Sequence, residues 1–194
     1  STKQLFDEGY IKVTKEKMKK MLCVMLSLVM VLCLMSGCDS LFATGGETTG
    51  AEAGGNEPVK LTDKYTFEDP TDIEFDKRYV IYADENSVMV SSAKDYGMIA
   101  VYSITYAKED APVCGYEFMI CDTAENAKKV IDLYAAQGTT LTAAEEDPTV
   151  LYAKSDGETL EASIMVYQSY GMIQEATVSA YVEFYATSIG GTIQ

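Results

Sequence analysis

Met98-Ile99-Ala100-Val101-Tyr102-Ser103-Ile104-Thr105-Tyr106-Ala107 is the stretch that decides the fold. Met98, Ala100, Tyr102, Ile104 and Tyr106 alternate with Ile99, Val101, Ser103 and Thr105. A period of two over this length predicts a β-strand with one richly aromatic face. Gly115 to Cys121 predicts a second strand, with Tyr116, Phe118 and Ile120 on a common face. Two hairpins are expected beside them. One joins Tyr79–Tyr82 to Ser87–Val90 across Asp84-Glu85-Asn86. The other joins Val150–Lys154 to Leu160–Gln168 across Ser155-Asp156-Gly157-Glu158, because Asp-Gly between β-rich runs is a turn signal.

Helical spacing appears in two places. Asp122 is a fitting N-cap with Glu125 three residues on, and Ala124, Ala127, Val130, Ile131, Tyr134 and Ala135 form a stripe that Gly138 ends. Near the C-terminus, Met172 to Phe184 can be read as alternating. Val178, Tyr181, Val182, Tyr185 and Ile189 fit helical spacing with Gly190 as a stop, and the echo of Ile131-Asp132-Leu133-Tyr134-Ala135 in Val182-Glu183-Phe184-Tyr185-Ala186 tips the choice, so a helix is predicted over roughly 175–189. The expected fold is therefore α+β: a single domain, mainly antiparallel sheet, with about two helices packed on one face. Tyr96-Gly97-Met98-Ile99 recurs as Tyr170-Gly171-Met172-Ile173, and Ser87-Val88-Met89-Val90 resembles Ser163-Ile164-Met165-Val166. These echoes raise an internal two-fold repeat.

The 194 residues carry 15 Lys plus Arg against 30 Asp plus Glu, a formal charge of −15, with no histidine and no tryptophan. Without histidine, a Ser-His-Asp triad, a Cys-His pair and a His-ligated zinc are excluded. The acid surplus argues against nucleic acid as a partner, since phosphate contacts need clustered Lys and Arg. No P-loop, dinucleotide GxGxxG or GxSxG motif is present.

The first part of the chain reads as an address. Lys15, Lys17, Lys19 and Lys20 precede a 15-residue run from Met21 to Met35 that is apolar apart from Ser27. As a helix this run spans roughly 22 Å, short of a ~30 Å hydrocarbon core, and it fits a secretory signal better than a permanent anchor. It closes on Leu34-Met35-Ser36-Gly37-Cys38, which resembles the lipobox of bacterial lipoproteins: an aliphatic residue, two small residues and a lipid-accepting cysteine. Met35 stands where leucine is commonest. The resemblance covers residues 18–38 and implies that Cys38 becomes the first mature residue, carrying acyl chains that hold the protein at the outer face of the cytoplasmic membrane. Asp39 resembles an inner-membrane retention signal of bacteria with two membranes.

Four segments are expected: residues 1–17 as an upstream extension, 18–37 as signal peptide, 38–63 as lipidated cysteine and flexible tether, and 64–194 as the extracytoplasmic domain. Asp39 to Asp63 is rich in Gly, Thr, Ala and Glu and has few large apolar groups, so it cannot offset its ordering entropy by burial. From Cys38 onward the chain keeps 27 acids against 9 bases, a charge of −18.

Chemistry is sparse in the domain. Cys114 and Cys121 sit seven residues apart in a strand, about 23 Å, where a disulfide needs Cα atoms within ~7 Å. They should point to opposite faces as reduced thiols. Asp84-Glu85, Glu109-Asp110 and Glu145-Glu146-Asp147 read as acidic turns, without the spacing of a calcium loop. No metal, cofactor or catalytic residues are expected. The conspicuous residue is tyrosine, with 13 of the chain's 14 copies in the domain. Tyr102, Tyr106 and Tyr116 on adjacent strands are the candidates for a partner- or ligand-binding surface. The expected function is a membrane-anchored extracytoplasmic lipoprotein whose domain binds an envelope protein or small molecule without catalysis. The alternative is a small extracytoplasmic hydrolase using carboxylates or serine.

Overall fold

The computed structural model describes residues 57–194. The signal segment, the lipobox with Cys38 and the tether up to residue 56 lie outside the described residues. In chain order the elements are the short strands β1 (Val59–Lys60) and β2 (Thr66–Phe67), strand β3 (Lys77–Ala83), helix α1 (Val88–Ser92) followed by a single 3-10 turn (Lys94–Tyr96), and the long strands β4 (Met98–Lys108) and β5 (Ala111–Cys121). Helix α2 (Ala124–Ala136), strands β6 (Thr142–Ala143) and β7 (Val150–Asp156), helices α3 (Gly157–Ser169) and α4 (Val178–Ile189) and strand β8 (Thr192–Ile193) complete the chain. β1 and β2 pair with each other, and the remaining strands form a six-stranded sheet in the order β6-β7-β5-β4-β3-β8. Every pair in it is antiparallel. The class is α+β.

β4 and β5 make the central hairpin. Their turn is Glu109-Asp110, both with positive φ (52° and 63°), the backbone twist that matches two-residue hairpins. The register sets Tyr102 opposite Phe118, Ile104 opposite Tyr116 and Thr105 opposite Gly115. A register shift between Met98 and Ala100 turns Met98 onto the opposite face from Ala100, so the aromatic alternation begins at Ala100.

Among the described residues, the four helices all pack on one face of the sheet. Ile81, Val101, Met119 and Leu151 from the strands meet Met89 and Val90 of α1, Val130 and Tyr134 of α2, Ile164 of α3 and Val182, Tyr185 and Ile189 of α4. The opposite face carries Val80, Ile104, Tyr106, Phe118 and Ile120, and it is covered by the chain's own residues 57–76, through Leu61, Phe67, Ile73 and Phe75. This covering segment begins inside the stretch expected to be tether: Val59 and Lys60 pair with Phe67 and Thr66, and Leu61 is buried. The aromatic face outweighs the weak propensity of a Gly/Glu-rich approach, since each covered aromatic ring removes a large apolar area from water.

Several local expectations are corrected. Ser87–Val90 is not a strand: Ser87 accepts a hydrogen bond from Val90 N (3.2 Å) as N-cap of α1, and β3 pairs with β4 and β8 instead. Leu160–Gln168 is not a strand but most of α3. Asp156 is its N-cap, accepting from Thr159 N at 2.8 Å, so Asp-Gly here starts a helix rather than turning a hairpin. Gly157 is required by space, since a Cβ there would lie 2.6 Å from the carbonyl oxygen of Pro112. The N-cap of α2 is Thr123, which accepts from Asn126 N, while Asp122 accepts from the Asn126 side chain. The C-terminal helix forms as α4 behind Thr177 and ends at Gly190 with φ 71°. The internal repeat is not shown. Both Tyr-Gly-Met-Ile stretches turn at a left-handed glycine, but the first enters β4 and the second stays in the loop between α3 and α4. Among the described residues no helix is long and apolar enough to cross a membrane.

Candidate functional site

The three tyrosines singled out from the sequence do lie on one face. Tyr106 and Tyr116 meet edge-on with ring centroids 6.3 Å apart, and Tyr102 packs instead against Tyr82 at 4.8 Å. Tyr106 is fully buried: Phe75 covers its ring at 4.7 Å and its hydroxyl donates to Asp69 Oδ1 at 2.6 Å. Tyr116 is half-buried under Phe67 at 4.9 Å, with the Lys154 ammonium 5.3 Å from its ring centre. Tyr102 is half-buried. This face holds the covering segment rather than presenting an open aromatic platform.

The acidic turns have structural duties. Asp147 is buried and accepts from Thr149 (2.7 Å) and from Thr62 of the covering segment (2.8 Å). Asp110 accepts from Ser179 (3.0 Å) and ties the central hairpin to α4. Cys114 and Cys121 are free and buried on opposite faces. Burial raises both thiols, Cys121 to about 11, so neither is a ready nucleophile.

A cavity of about 120 Å³ lies between the sheet and the helices. Its floor follows from side-chain size. On the helix-facing side of the sheet, Glu117 is flanked by Ser103 and Ala153, and the next row is Thr105, Gly115 and Ser155. Short side chains there leave the helices nothing to pack down upon. The roof is Leu160, Ser163 and Tyr167 of α3 with Tyr181 and Tyr185 of α4, and Tyr134, Thr139 and Leu141 close one side.

Among the described residues, Glu117 is the one carboxylic acid lining this cavity, and no Lys or Arg lines it. The Tyr185 hydroxyl donates to Glu117 Oε1 at 2.8 Å, and Oε2 has no hydrogen-bond partner among the described residues. Glu117 is half-buried and lines the cavity. Burial raises its carboxyl above the usual range, and the Tyr185 hydrogen bond offsets only part of the effect. A group with a raised folded-state pKa favours the fold below its unfolded pKa, and that contribution is lost as pH rises through the folded value. The same enclosure raises the tyrosines: Tyr185 well above its usual value, and Tyr167 to about 12, by burial first and then by the charge of Glu117. Thr139 adds a second polar group on this wall, its Oγ1 buried without a hydrogen-bond partner among the described residues.

Glu117 escaped the sequence reading, although a signal was there. Tyr116, Phe118 and Ile120 define one face, so Glu117 alternates onto the other with Met119 and Cys121, where a charge does not belong on a helix-covered sheet. Among the described residues no group of three or more His, Cys, Asp or Glu could hold a metal ion. No known protein family, curated protein or solved structure matches the chain.

Proposed function

We propose that this chain is a lipid-anchored extracytoplasmic binding protein whose α+β domain takes a small molecule in the Glu117 cavity, without catalysis. The observation that carries the binding reading is a room lined by polar groups and tyrosines around an acid with a spare oxygen. Two carboxyls poised against each other would favour the hydrolase alternative, whereas this cavity has a single acid and no activated nucleophile beside it. The anchor rests on the basic start, the apolar run and the lipobox resemblance at Cys38. A chain with 27 acids against 9 bases from Cys38 onward is repelled by anionic lipid heads, so acyl chains would be what holds it at a membrane.

One experiment on the full chain in a bacterial host tests both parts. Membrane fractionation should retain the wild-type chain and release Cys38→Ala into the soluble fraction. The purified protein is then screened by thermal shift with cationic, neutral and anionic compounds of about five heavy atoms, the size that suits this volume given that ~150 Å³ accommodates benzene. At least one class should raise the melting temperature of the wild type and not that of Ser163→Leu, which fills the cavity from α3. Equal fractionation of both chains contradicts the anchor, and no shift with any class contradicts the binding reading.

A further inference from the structure

We propose that the ligand of this cavity is a small organic cation, an alkylammonium whose positive head sits between Glu117 and the surrounding tyrosines. The proposal rests on the binding reading above and narrows it to one chemical class.

The case is made by which charges and dipoles face the space. Among the described residues, the titratable groups facing Glu117 from the helices are Tyr134 of α2, Tyr167 of α3 and Tyr181 and Tyr185 of α4, and Tyr116 of β5 also lines the cavity. The neighbouring strands offer only Ser103, Thr105, Ala153 and Ser155. Among the described residues lining the cavity, none supplies positive charge. A tyrosine presents either a negative ring face or a hydroxyl oxygen, and both attract a cation. Tyr181 and Tyr185 are stacked with centroids 5.8 Å apart and an interplanar angle of 9°, and Tyr167 lies 5.8 Å from Tyr181, so the rings form one connected wall.

Hydrogen bonding points the same way. Glu117 Oε2 and Thr139 Oγ1 are both able to accept, and neither has a partner among the described residues. An ammonium brings three donors and no acceptor, and so satisfies acceptors without creating a new need. A carboxylate ligand would place a second negative charge beside Glu117 with no cation to balance it, and a purely apolar ligand would leave the acid uncompensated. Size is consistent: the cavity of about 120 Å³ is slightly smaller than the ~150 Å³ that holds the six carbons of benzene. An alkyl chain of about four carbons can rest on Leu141, Leu160 and Met119 while its head meets the acid.

Binding is coupled to one proton. An alkylammonium keeps its charge to about pH 10, as a lysine does, so the titrating partner is Glu117, which must ionise to pair with it. Affinity should therefore weaken about tenfold per pH unit below the pKa of Glu117 in the free protein, and level off above it.

The test is calorimetric titration of the full chain with n-butylammonium, 1-butanol and butyrate, three probes of similar size that differ in charge. The expected result at pH 8 is n-butylammonium binding at least about tenfold (about 1.4 kcal/mol) more tightly than either of the others. Glu117→Gln should fold, since it removes a buried acid while keeping its shape, and should lose that preference. If 1-butanol or butyrate binds as well as n-butylammonium, or if Glu117→Gln keeps the preference, the cation is overturned while the binding reading stands. If none of the three binds and the cavity holds only water, the cation is overturned too. Whether the binding reading then falls is decided by the broader screen against Ser163→Leu.

Discussion

Phe118→Ala will lower the stability of the domain by about 3–5 kcal/mol and its melting temperature by on the order of 10–20 °C. Phe118 is 1% exposed, near the centre of the face that the covering segment hides. Its ring lies 4.8 Å from Phe67 and within 6.4 Å of Tyr65, Tyr116 and Tyr152, so residues from the segment and from β5 and β7 all lose contacts at once. Those neighbours are aromatic and held by strand register, which limits how far they can collapse into the gap. Chemical denaturation of the wild type and variant measures the difference. A loss under about 1 kcal/mol would mean that Phe67 and its segment do not rest on the sheet in solution.

Arg78→Met will cost about 3–5 kcal/mol, the range found when one partner of a buried ion pair is removed. Arg78 stands directly opposite Tyr106 in the β3–β4 register and its side chain is 5% exposed. It donates to Asp69 Oδ1 at 2.8 Å and to the Glu57 carbonyl at 2.8 Å, while Asp69 Oδ1 also accepts from Tyr106. Without the guanidinium, the carboxylate of Asp69 is held near the sheet by Tyr106, with its countercharge gone. Amide exchange should accelerate over residues 57–69 before it does in β4 and β5. Adding Asp69→Asn to Arg78→Met should recover more than half of the loss, because a neutral amide oxygen still accepts from Tyr106. Equal exchange rates in wild type and variant would contradict this locking role.

Strand β4 was legible because two-residue alternation over ten residues has no helical counterpart, while β5 was read only from Gly115 onward and in fact begins at Ala111. Helix α4 was legible because five apolar residues share helical spacing ahead of a glycine stop. Leu160–Gln168 was misread for a physical reason: β-rich residues such as Ile164, Val166 and Tyr167 and a preceding Asp-Gly favoured a hairpin. Yet Leu160, Ser163, Ile164 and Tyr167 sit at helical spacing, and Asp156 caps them. Tertiary cover overrode local propensity in the same way at Val59–Phe67, where a polar approach carries just enough apolar groups to sit on an aromatic sheet. The tyrosine face was visible in the sequence, but its occupant was not, since nothing local says that Phe67 and Phe75 reach it. The cavity is a property of rows across strands. Ser103, Glu117 and Ala153 are distant in sequence, and only the register makes them neighbours.

The proposed pairing of Glu117 with a positive ligand is read at the carboxyl itself. The measurement is a pH titration of the Glu117 side-chain carboxyl by carbon-13 NMR on the purified chain, with and without n-butylammonium. A midpoint above the ordinary glutamate value of about 4.3 is expected in the free protein, moving downward when n-butylammonium is present. An ordinary midpoint that n-butylammonium leaves unchanged would contradict the pairing.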